Sequence, residues 1–137
     1  VFPRIKYSDV SGGEAILSVK RKLAENRDYF ERQEIDIRID NVKAIDDLRA
    51  MMKLLGFENE IVFEKKRINM VKEDIVVSFD ELPFGYFVEF EAEPAVIEKY
   101  INEFGLVGHL RITQAYLGLW EDYKKKNNLV DAECVFS

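Results

Sequence analysis

The order of patterned segments predicts an α+β fold built from antiparallel hairpins. Three observations carry this expectation. Short segments of alternating polarity come in two groups of three. An amphipathic helical segment separates the groups, and two more helical segments follow the second. Turn punctuation such as Pro83 with Gly85 falls between consecutive alternating segments, where parallel strands would need a long crossover.

The first group occupies about residues 2–40. Arg4-Ile5-Lys6-Tyr7 alternates, and Ser11-Gly12-Gly13 marks a turn. Ala15-Ile16-Leu17-Ser18-Val19-Lys20 reads as a second strand. In the third, Ile35, Ile37 and Ile39 share one face, and Arg32, Glu34, Asp36, Arg38 and Asp40 share the other. Residues 43–55 predict a helix, with Ile45, Leu48, Met51, Met52 and Leu55 at three- and four-residue spacing. Gly56 stands where a C-terminal cap belongs. Strands follow over about 60–70, 74–80 and 85–92. A second helix starts near Pro94, a favoured first-turn residue, and ends before Gly105. A third runs from about Thr113, its expected N-cap, to Lys126, with Lys124, Lys125 and Lys126 at the negative end of the helix dipole.

The 137 residues, 47% hydrophobic and 34% charged, suit one domain with its own core, and no linker or repeat interrupts them. A net charge of −6 disfavours binding to a nucleic-acid duplex, although it leaves room for a local basic pocket. No apolar run approaches the roughly 18 residues of a membrane span. The single cysteine, Cys134, excludes an internal disulfide and fits a reducing, cytoplasmic setting. The start, Val1-Phe2-Pro3-Arg4, shows neither a signal-peptide layout nor an initiator Met, so the N-terminus is expected to be trimmed.

Charges recur at a spacing of two in several strands: Arg4 with Lys6, Arg32 with Glu34, Lys65 with Arg67, and Glu89 with Glu91. Lys20 and Asp80 add one each. Residues i and i+2 of a strand share a face, so closure into a barrel would let all of them line one lumen. Arginine offers phosphate a planar fork and lysine a point charge. Carboxylates alone would repel phosphate, unless they hold Mg²⁺ or Mn²⁺ that bridges to its oxygens. The mixture reads as metal-assisted triphosphate chemistry. The plain alternative is a set of solvated strand faces, as expected for Glu60, Glu64 and Lys66. His109 and Cys134 read as structural. The sequence has no P-loop, no GxGxxG motif and no nucleophile–His–Asp set.

In their order along the chain, these segments resemble the CYTH superfamily, which includes class IV adenylate cyclases, thiamine triphosphatases and inorganic triphosphatases. The resemblance runs from Arg4 to about Tyr123. Arg4-Ile5-Lys6 is similar to the family's LRxR strand, with Lys6 in place of the second arginine. Ser18-Val19-Lys20 resembles TxK and Arg32-Gln33-Glu34 resembles RxE. Leu54-Leu55-Gly56-Phe57 resembles the end of LxxLGF, Lys65-Lys66-Arg67 resembles KxR, and Val77-Ser78-Phe79-Asp80 resembles vxlD. Phe84 to Glu91 resembles lGxFvEIE, and Tyr116-Leu117-Gly118-Leu119 resembles SYLELL. The family's ExExK strand and the strand after it are not in these residues. The resemblance therefore implies a single CYTH-like domain over 1–137 that lacks two N-terminal strands.

The implied fold is an antiparallel β-barrel, the triphosphate tunnel, with helices packed outside. Ile35, Ile37, Ile39, Tyr116, Trp120 and Tyr123 would take part in that outer packing. Arg4, Lys6, Lys20, Arg32, Lys65 and Arg67 would hold phosphate oxygens, with Arg111 at the tunnel mouth. Asp80, Glu89, Glu91 and Glu34 would serve a divalent metal, Mg²⁺ or Mn²⁺. The implied function is a metal-dependent enzyme acting on tripolyphosphate, thiamine triphosphate or ATP, by hydrolysis or by cyclisation to cyclic AMP. The alternatives are a polyphosphate- or nucleotide-binding module without turnover, motivated by the missing ExExK, and an unrelated β-barrel interaction domain with solvated charges. The choice of substrate, the preferred metal and the oligomeric state, dimer included, stay open.

Overall fold

The computed structural model describes residues 2–8, 14–25, 29–41 and 43–137. The Ser11-Gly12-Gly13 turn lies outside them. The described residues contain six strands, all paired antiparallel, and three helices, as an α+β fold requires. The strands form two three-stranded sheets; among the described residues no ladder joins these sheets into one barrel. The chain divides into two compact units, Val1–Glu60 and Ile61–Ser137.

The first unit holds β1 (Phe2–Ser8), β2 (Glu14–Glu25), β3 (Phe30–Ile39) and α1 (Ala44–Leu54), with β2 central in the sheet. Arg4 pairs with Ser18 and Ser18 with Asp36; Lys20 pairs with Glu34 and Lys22 with Arg32. Directly opposed residues project to the same side of a sheet. The register therefore gathers Arg4, Lys6, Ser18, Lys20, Arg32, Glu34 and Asp36 on one face, as the alternation predicted. Ile5, Leu17, Val19, Ile35, Ile37 and Ile39 take the other. The register shifts once, between Lys22 and Ala24.

Ile35 and Ile37 stay 58% and 59% exposed, so the outer packing expected of them is not found. Helix α1 has Asp46 and Asp47 in its first turn and Lys53 in its last, which suits its dipole. It buries none of its own residues. Its stop is a Schellman turn: Gly56, at φ 93°, donates to Lys53 O, and Phe57 N–H donates to Met52 O, both at 3.0 Å.

The second unit holds β4 (Lys66–Lys72), β5 (Ile75–Leu82), β6 (Gly85–Glu91), α2 (Pro94–Glu103) and α3 (Tyr116–Lys126), with β5 central. The strand expected from about residue 60 starts only at Lys66. The residues ahead of it pair elsewhere: Phe63 bridges Cys134 in parallel, Glu64 N–H donates to Cys134 O at 2.7 Å, and Glu64 Oε2 accepts Phe136 N–H at 3.0 Å. On one face of the sheet Ile75 and Val77 are buried against Tyr100 of α2, with Met70, Phe90, Ala92 and Val96 around them. The other face carries Arg67, Asn69, Ser78, Asp80, Phe87, Glu89 and Glu91.

Helix α3 corrects the sequence reading twice. It starts at Tyr116 after an extended Ala115, so Thr113 is not its N-cap. It also packs against the charged face and not against the outer one. Tyr116 sits 5.3 Å from Phe87, which lies opposite Asp80, while Phe84 contacts Trp120 and Tyr123 at 5.5 and 5.6 Å.

Candidate functional site

In the second unit the register sets Arg67 directly opposite Asp80, with Glu89 one strand further, opposite Ser78. Arg67 grips Asp80 along one edge of its guanidinium: Nε donates to Oδ1 at 2.6 Å and Nη2 to Oδ2 at 2.5 Å. Nη2 also donates to Glu89 Oε2 at 2.5 Å. Lys65, just ahead of β4, brings Nζ to 3.6 Å from Asp80 Oδ2 and to 5.7 Å from the Tyr116 ring centroid. The Tyr116 hydroxyl donates to Asp80 Oδ2 at 2.8 Å. Asp80 is 2% exposed, so a charged carboxylate there is tolerated only because these donors surround it.

The electrostatics follow from this enclosure. Burial pushes the Asp80 carboxyl upward, but the bonds from Arg67 and Tyr116 and the Lys65 charge outweigh it and hold it below its ordinary value. Burial, the bond to Asp80 and the nearby negative charges raise the Tyr116 phenol, so it keeps its proton and goes on donating. Burial and the Arg67 charge lower Lys65, against the pull of Asp80 and Glu89.

The first unit assembles a second cluster from the same ingredients. Glu34 Oε1 accepts Lys6 Nζ at 2.9 Å and the Ser18 hydroxyl at 3.0 Å, and Oε2 lies 2.7 Å from Lys20 Nζ. Lys6 also reaches Asp36 Oδ2 at 3.0 Å. Desolvation raises the Glu34 carboxyl, and the bonds from Lys20, Lys6 and Ser18 overcome it, bringing it down to about 2. Ser18 is fully buried.

The structure thus groups Lys65, Arg67, Asp80 and Glu89 in one unit and Lys6, Lys20 and Glu34 in the other. Arg4 and Arg32 lie on the same sheet face as Glu34, both half-buried. Glu91 is exposed, two residues beyond Glu89 and opposite Val76. Arg111 forms a two-bond pair with Glu98 of α2, at 2.6 and 2.9 Å.

The four carboxylates assigned to a metal divide by their partners. Asp80 and Glu34 spend both oxygens on cations and a hydroxyl. Among the described residues, Glu89 Oε1 has no bonded partner and Glu91 is exposed, so of the four these two keep oxygens that a hard cation could take. No set of three His, Cys, Asp or Glu side chains gathers for one ion among the described residues.

Two participants escaped the sequence reading. Ser18 lies two residues before Lys20, so period two already placed it on the charged face. Tyr116 gave no such signal, because its spacing to Trp120 and Tyr123 matches ordinary helix packing. Comparison of the sequence with protein-family models, with curated proteins and with solved structures finds no match in any of the three.

Proposed function

We propose that this chain binds the triphosphate group of a small molecule and, with Mg²⁺ or Mn²⁺, promotes attack at phosphorus. The observation that supports this best is the coincidence of predicted and observed charged faces: Arg67 bonds both Asp80 and Glu89, and Lys65 pairs with Asp80. A merely solvated face does not enclose a carboxylate that is 2% exposed among two cations and a phenol.

In this reading Arg67 and Lys65 bind phosphate oxygens and neutralise charge as it develops. Glu89 and Glu91 hold the metal, which supplies charge neutralisation and an activated water or substrate hydroxyl. The reading extends to a closed antiparallel barrel, and within the first unit to phosphate contacts from Arg4, Lys6, Lys20 and Arg32. It takes the cytoplasm as the protein's setting, on the ground of the single cysteine. Among the described residues no helix is long and apolar enough to cross a membrane.

A second reading, binding without turnover, draws on the engagement of Asp80 and Glu34 by cations. A product screen separates the two. Phosphate release from tripolyphosphate, thiamine triphosphate and ATP is measured with cyclic AMP in parallel, with and without chelator. The enzyme reading expects turnover of at least one substrate, abolished by chelator and by Glu91→Gln, while tripolyphosphate still raises the melting temperature. A melting shift without turnover selects the binding module. No shift and no turnover removes both.

A further inference from the structure

The geometry points to Asp80 as a positioning residue that aims Arg67 at phosphate, and not as a metal ligand. This rests on the phosphate-binding reading above and assigns the carboxylates of that site different tasks.

Three observations carry the assignment. First, Asp80 has no oxygen to spare. Oδ1 accepts from Arg67 Nε, Oδ2 accepts from Arg67 Nη2 and from Tyr116, and Lys65 approaches Oδ2 as well. A metal at Asp80 would have to share or take oxygens that Arg67 already holds, and a displaced guanidinium would lose its two-bond partner. Second, the grip is one-sided. Asp80 takes the Nε/Nη2 edge, and Nη1 has no bonded partner among the described residues. A guanidinium fixed along one edge presents its remaining donors in a set direction, so less rotamer freedom is lost when a phosphate binds. Third, the second carboxylate on Arg67 is of a different kind. Glu89 is partly exposed and shares Nη2 through one oxygen. Phosphate can take that donor from Glu89 while Asp80 keeps hold. Tyr116 completes the device from α3, holding Asp80 Oδ2 in place as its third donor.

The two roles for Asp80 predict opposite signs. A carboxylate that only holds metal or only adds negative charge repels a metal-free polyphosphate, and its neutralisation strengthens binding. A carboxylate that aims Arg67 weakens binding when it is neutralised. The experiment is calorimetric titration of tripolyphosphate in chelator, on the full chain as wild type, Asp80→Asn and Tyr116→Phe, with Mn²⁺ binding followed by electron paramagnetic resonance in parallel.

The expected results are about tenfold weaker metal-free binding for Asp80→Asn and a twofold to fivefold loss for Tyr116→Phe, each consistent with losing a charge-assisted hydrogen bond. Mn²⁺ uptake should match wild type in both variants, which a general loss of structure would not allow. Metal-free binding by Asp80→Asn that equals or exceeds wild type overturns the assignment, and so does loss of Mn²⁺ uptake. Wild-type binding that appears only with Mn²⁺ overturns it as well. If Asp80→Asn does not fold, Tyr116→Phe decides, and unchanged affinity there counts against the assignment. A wild type that binds tripolyphosphate under neither condition removes the phosphate reading itself.

Discussion

In the first sheet Glu34 takes Lys6, Lys20 and Ser18; in the second, Asp80 takes Arg67, Lys65 and Tyr116. Each cluster centres on one carboxylate held by two cations and a hydroxyl, with a second carboxylate (Asp36 or Glu89) sharing one of the cations, and each comes from charges spaced two apart on antiparallel strands. They differ in enclosure. The Glu34 side chain keeps 34% of its exposure, and its cations are lysines on flexible stems. The Asp80 side chain keeps none, one of its cations grips through two bonds, and its hydroxyl is delivered by a helix. Exposed pairs exchange readily with water and are screened by salt. An enclosed pair is costly to break, because the surviving partner is left without water. The same alternating pattern has produced one open cluster, expected to tolerate loss of a partner, and one enclosed cluster, expected not to.

The sharpest way to break this contrast is to remove one cation from each cluster. Arg67→Ala strands Asp80 without its two-bond partner, and we expect a loss of about 3–5 kcal/mol in unfolding free energy. Lys20→Ala leaves Glu34 with Lys6, Ser18 and solvent, and the expected loss is about 1 kcal/mol or less. Urea unfolding of both variants measures the difference. Equal losses would mean that enclosure does not separate the clusters.

A smaller effect sharpens the role of the hydroxyls. Tyr116→Phe keeps the ring against Phe87 and Phe63 and removes only the bond to Asp80. A hydrogen bond to a charged group is worth about 1.5–3 kcal/mol, and the loss should fall in that range. Phe63 and the Cys134 bridge should be unaffected. A Tyr116→Phe protein as stable as wild type would show that the phenol decorates the cluster without holding it.

How much of this was legible in the sequence depends on the kind of pattern each residue belongs to. Period two put Arg4, Lys6, Lys20, Arg32 and Glu34 on one face, and Lys65, Arg67, Asp80 and Glu89 on another, because the pleat fixes side-chain direction whatever the register partner. It could not rank Asp80 above Glu91, although both lie on the charged face. Their difference arises from Arg67 standing across from one and Val76 from the other. It could not see α3 either. Tyr116, Trp120 and Tyr123 look the same to a helical count whether they cover the outer face or the charged one. The late start of β4 leaves no local trace, because Phe63 and Glu64 are claimed by Cys134 and Phe136, about 70 residues later in the chain.

The weakest effect, and the one most specific to the exposed cluster, is the pH dependence that Glu34 confers. Its carboxyl falls from an ordinary 4.5 to about 2 in the folded chain. A carboxyl depressed by folding stabilises the fold above its unfolded pKa, and that contribution is lost as pH falls through the folded value. Glu34→Gln removes the titrating group. The stability gap between wild type and Glu34→Gln should therefore be full above about pH 4.5 and narrow steadily toward pH 2. Because the cluster is open to solvent, we expect a gap of about 1 kcal/mol or less, and it should shrink further at high salt. Asp80 is also held below its usual value, but it titrates in both proteins and so cancels in the comparison. Thermal unfolding of the pair from pH 6 down to pH 2.5, at low and high ionic strength, makes the measurement. A gap that stays constant across that range would show that Glu34 gains nothing from Lys6 and Lys20 in the folded state, and a gap that widens toward acid would reverse the assigned sign.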